Sequence, residues 1–174
     1  MRPVPPMSDT NKKRPQLLDK SVLESIAGRL LPDLVAWFDS IDEVLSEKDE
    51  MKVFNSVVKL LHQQNGRWDG YVLARTLEEH GWFPTAELVE ILHDSNRVAQ
   101  HCLREEAIRW VHDNGLVPQF KVGELVQFVA FANEPPMKGK ISEVHQETLE
   151  FSVTLPSGTT ILLPQESIFH STDP

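Results

Sequence analysis

The chain has 174 residues, 40% of them hydrophobic and 25% charged, which is enough for one good core or two small ones. Its formal net charge is −9, from seventeen basic and twenty-six acidic side chains. The single cysteine, Cys102, excludes an intramolecular disulfide and any cysteine-rich zinc module, and a lone reduced thiol fits a cytoplasmic compartment.

The charge is unevenly shared. Residues 1–16 hold four basic side chains against one acid, residues 17–118 ten against eighteen, and residues 119–174 three lysines against seven acids. Both parts with folding patterns are therefore acidic. On average each repels a phosphate backbone, whose binding depends on Lys and Arg displacing counterions. The opening MRPVPPMSDTNKKR has the opposite sign, and residues 1–16 read as a disordered basic tail. It contains no apolar stretch suited to a signal peptide, and Met7 offers a second translation start. No run of eighteen apolar residues is present, so no membrane span is expected.

Residues 17–117 carry helical periodicity. Ser21 with Glu24 forms a capping-box pattern that opens a helix through Val22, Leu23, Ile26 and Leu30. Pro32 predicts its end, and Asp33 can cap a second helix. That second helix has Leu34, Trp37, Phe38, Ile41, Val44 and Leu45 on one stripe, opposite Asp39, Asp42, Glu43 and Glu47. A third helix carries Met51, Phe54, Val57, Val58 and Leu61, and Asn65-Gly66 stops it. Asp69 caps a helix through Tyr71, Leu73, Ala74 and Leu77, closed by Gly81. Thr85 caps another with Leu88, Ile91 and Leu92. After a break or recapping point at 94–96, a last helix runs to about Asp113. Five or six helices with short loops predict an all-α bundle.

At Pro118 the period changes to short alternating runs between Gly and Pro turns, so residues 118–174 read as a β module and the fold class as α+β. Val122 to Phe131 is apolar on both faces, with Val126 and Phe128 on one and Leu125, Val129 and Phe131 on the other. Such a strand is expected to be covered on both sides. Asn133 to Pro136 reads as a loop and 140–145 as a weaker strand. The strand from Thr148 to Leu155 alternates most clearly, followed by a hairpin at 156–158, a strand at 159–163 and a last short one at 168–169. Four or five antiparallel strands in this span resemble a small SH3-like barrel, and VGELVQF with KGKISEV is similar to the opening strand pair of such domains. The resemblance concerns fold alone, because these barrels serve proteins, nucleic acids and plain packing alike. The connection Gly115 to Lys121 is short and apolar, so the barrel is expected to pack on the bundle.

Few residues point to chemistry. His101, Glu105 and His112 share a helix face, but His101 and His112 are three turns apart, roughly 16 Å, so they cannot share one ion without a bend. A solvated helix face is the simpler reading, and no metal site or cofactor is expected. Cys102 follows His101, but adjacent helical positions point about 100° apart, so the thiol reads as a core filler and not a nucleophile. No phosphate loop, GxSxG elbow or HExxH motif occurs, and the chain is read as non-enzymatic.

The acidic run from Asp33 to Glu50 reads as the outer face of an amphipathic helix or as a surface for a basic protein. Trp82 and Phe83 follow Gly81 and read as a plug over the core or as interface anchors. The expected function is protein binding in an adaptor or neutralising role. Its candidate residues are Asp39, Asp42, Glu43, Glu47, Trp82 and Phe83, and the expected partner is a basic protein. The alternative is a nucleic-acid accessory protein using the basic tail and Lys138, Gly139 and Lys140 of the β module.

Overall fold

A computed structural model of the chain describes residues 13–129 and 135–171. The expected basic tail lies outside the described residues except for its last four, as do Phe131 and the first half of the expected loop at Asn133 to Pro136. The element order is α1 (Lys20–Ser40), α2 (Glu47–Gln63), α3 (Gly70–Glu78), α4 (Ala86–His93), α5 (Ser95–Asp113), then β1 (Leu125–Phe128), β2 (Met137–His145), β3 (Glu150–Thr154), β4 (Thr160–Pro164) and β5 (Ile168–His170). The class is α+β. The chain divides into two units, one of residues 13–106 and one that takes in residues 107–171, with the division inside α5.

In the first unit α1 packs on α2 and α4, and α3 packs on α4. The two helices expected on either side of Pro32 are one helix, because Pro32 lies inside α1. Val22, Ile26, Leu30 and Leu34 recur every four residues straight through the proline, and all are buried. An interior proline costs about 3 kcal/mol. Each fully buried Leu or Ile contributes about 1.5–3 kcal/mol, so an in-phase stripe outweighs the break. The capping box at Ser21 does not form. Asp19 is the N-cap, with Ser21 already inside the helix. Asp69 and Thr85 do cap α3 and α4 through their side chains, and the break between α4 and α5 falls at Asp94. Gly70 opens α3 where a Cβ would lie 2.4 Å from the Val89 carbonyl oxygen, so glycine permits the close approach of α3 to α4.

The second unit carries a five-stranded antiparallel sheet in the order β4-β3-β2-β1-β5. The sheet is open. Among the described residues no strand pairing joins β4 to β5, so the expected closed barrel is not what is seen. Phe120, Val126, Phe128, Ile141, Phe151, Val153 and Ile168 form its core. Gly139 pairs with Val126 on the core face, where a Cβ would meet Val153 Cγ1 at 2.4 Å. Alternation then puts Lys138 and Lys140 on the outer face. On the other face of the β1 segment Leu125 is 62% exposed and Val129 45%.

Candidate functional site

The site starts from the last turn of α1. Trp37 is buried, and its Nε1 donates to Thr85 Oγ1 at 2.8 Å. The same hydroxyl oxygen accepts the Leu88 N–H at 3.2 Å. One side chain thus caps α4 and satisfies a buried indole, which its two lone pairs allow. The Trp82 ring stacks on Trp37 with centroids 6.0 Å apart and planes 7° from parallel. Phe38 meets Trp82 edge-on at 5.1 Å. These three rings join the C-terminal end of α1 to the loop between α3 and α4.

That junction sorts the predicted residues. Trp82 belongs to the helical core as a plug, partly buried against it. Phe83, the next residue, turns outward and is 74% exposed. Beside it the chain leaves α1 in a tight turn, in which the Ile41 and Glu43 amides both donate to the Phe38 carbonyl and Asp42 takes φ 60°. Asp39, Asp42 and Glu43 are exposed and form no ion pair with any described residue.

The electrostatics of these acids divide in two. A helix C-terminus carries partial negative charge, so carboxylates there are unfavourable and cations favourable. Asp39 lies in the last turn of α1 with Asp42 and Glu43 just beyond, and that turn has no basic residue. Glu47 differs, because with Asp49 and Glu50 it occupies the first turn of α2, where negative charge is stabilising. Ser46 caps that helix by accepting the Asp49 amide, and its hydroxyl donates back to Asp49 Oδ2 at 2.6 Å. Lys52 Nζ donates to Asp49 Oδ1 at 2.6 Å. The Lys52 hydrogen bond, then that from Ser46, lowers the Asp49 carboxyl to about 2. Of the seven acids from Asp33 to Glu50, three therefore stabilise the start of α2 and three are uncompensated at the end of α1, while Asp33 lies within α1.

Sequence reading missed Val44. The helical stripe from Leu34 to Leu45 puts it on an inner face, but α1 ends at Ser40 and Val44 is 85% exposed in the connection to α2. The signal was available: Ser46 three residues before Asp49 is a helix-start pattern, which leaves Val44 outside any helix. Met51, placed on the inner face of α2, is likewise 58% exposed.

The other candidates are held in local pairs. Glu105 accepts from Arg29 Nη2 at 2.6 Å and lies 3.1 Å from His101 Nε2. His112 Nδ1 lies 3.2 Å from the Asp113 carboxylate. Arg97, by its hydrogen bonds, holds the Asp94 carboxyl below the usual range. Cys102 is fully buried in the helical core. No helix among the described residues is long and apolar enough to cross a membrane. No protein-family model matches the chain, and neither a curated protein nor a solved structure shows significant similarity to it.

Proposed function

We propose that this is a non-enzymatic, cytoplasmic protein-binding protein that holds a basic region of a protein partner against the turn between α1 and α2. One observation carries the reading: Asp39, Asp42 and Glu43 crowd the negative end of α1 with no cation in its last turn. For the isolated chain that arrangement is mildly destabilising, by a few tenths of a kcal/mol per charge. A partner's lysine or arginine at the same place supplies the missing cation, and the local field steers it there. Val44 and Phe83 add exposed apolar surface to the same end, the kind of side chain that anchors a protein interface. The strand order, with β1 between β2 and β5 and a 3-10 turn at Gln165–Ser167 before β5, supports an SH3-like topology for the second unit, which we assign the role of a second module.

The test is affinity capture with immobilised wild type, with Asp42→Lys/Glu43→Lys, and with a control reversal at Glu78, the last residue of α3, and Glu79 just after it. The reading expects basic proteins retained by wild type and control, released by salt, and absent from the Asp42/Glu43 variant. The same proteins on all three, insensitive to salt, would sink it.

A further inference from the structure

The second unit has a groove of about 560 Å³ between the start of β1, the outer face of β2 and the β3–β4 hairpin. That volume is within the range of small binding clefts. Its apolar wall comes from Val122, Leu125, Leu155 and Pro156. Val122 and Leu125 are 65% and 62% exposed, so they present bare hydrocarbon to water. Lys138 and Lys140 line the same groove, two residues apart on the outer face of β2, with Lys140 directly opposite Leu125. Lys121 directly precedes Val122.

The placement of charge is what specifies the occupant. Residues 119–174 contain three basic side chains and seven acids, and all three basic residues line or adjoin this groove. This acidic β segment thus places two of its three lysines on the exposed apolar cleft and the third next to it in sequence. We propose that the groove binds an extended segment of a protein partner that carries aspartate or glutamate beside leucine- or valine-like side chains. Carboxylates then meet Lys138 and Lys140, and the aliphatic side chains cover Val122 and Leu125. A nucleic acid suits the groove less well. Among the described residues the walls contain no aromatic ring on which a base could stack, and the acids of residues 119–174 outnumber the lysines, which disfavours phosphate. The groove belongs to the second unit and the α1–α2 turn to the first, so either assignment can fail alone.

The probe is a blocked hexapeptide alternating glutamate and leucine, titrated into the full chain labelled with 15N. Amide shifts are expected at Leu125, Lys140 and Ser142, weakening as salt rises. The same peptide with lysine in place of glutamate should produce none. Lys138→Glu/Lys140→Glu should weaken binding about tenfold, and Leu125→Ser should weaken it with the charges intact. Asp42→Lys/Glu43→Lys should leave it unchanged. The inference is overturned by no shifts in the groove, by equal shifts from the lysine peptide, or by tighter binding of a dodecamer of thymidine at these amides.

Discussion

Truncating Trp82 separates the two roles that a loop aromatic can play. Its ring stacks on Trp37 and meets Phe38 edge-on, so Trp82→Ala removes two aromatic pairs, each contributing about 0.5–1.5 kcal/mol beyond area burial. It also opens a void over a core in which Trp37 is 1% exposed. Full Trp-to-Ala truncations in cores cost about 3–5 kcal/mol, and Trp82 is only partly buried, so a loss of about 2–4 kcal/mol is expected. For a chain of this size that corresponds to a fall of about 5–15 °C in Tm. Phe83→Ala, one residue away and 74% exposed, should change stability by no more than about 0.5 kcal/mol. Urea unfolding followed by far-UV circular dichroism reads both without relying on tryptophan emission. Partner capture should reverse the order, with Phe83→Ala weakening it at unchanged stability. A Phe83→Ala loss above about 1.5 kcal/mol, or a Trp82→Ala variant as stable as wild type, would refute the assignment of plug and anchor.

Two further outcomes follow from local geometry. Gly70→Ala should destabilise by about 1–2 kcal/mol in thermal unfolding, although alanine is the better helix former. Its methyl would sit 2.4 Å from the Val89 oxygen and 2.7 Å from the His93 nitrogen, both backbone atoms of α4. Asp49 should titrate near 2 by carbon-detected NMR, against an ordinary value of 3.8. Because its folded pKa is depressed, its contribution to stability is present above about 3.8 and is lost as pH falls towards 2. The stability gap between wild type and Asp49→Asn should therefore narrow across that window, and a gap constant down to pH 2 would contradict the Ser46–Asp49–Lys52 arrangement.

Where periodicity and a polar cap agreed, the fold was legible in the sequence. Asp69 and Thr85 open their helices through their own side chains, and β3 buries Phe151 and Val153 in alternation as the pattern requires. Pro32 is a poor stop signal here because a local breaking rule takes no account of the phase of the apolar stripe on either side. Val22 to Leu34 keeps one period across it, and tertiary burial decides such cases. Sheet closure was not legible, because strand alternation says which residues face inward but not whether the outer strands meet. The candidate site was only half legible. Charge and aromatic content pointed to residues 39–47 and 82–83, but only the ring stack of Trp37, Phe38 and Trp82 brings the two segments to one end of the helices. The Ser46–Asp49 spacing does mark Glu47 as part of the start of α2, but nothing in the spacing revealed that Asp39, Asp42 and Glu43 are left uncompensated at the end of α1.

The most direct measurement of a binding role for the α1–α2 turn is site-specific photocrosslinking from position 83. Phe83 would be replaced by a benzophenone-bearing phenylalanine, with the same replacement at Leu162, 56% exposed on the sheet, as control. The account predicts a discrete adduct with a basic protein from position 83, absent from position 162 and lost when Asp42 and Glu43 are reversed to lysine. No adduct from position 83, or one that survives the charge reversal, would contradict it.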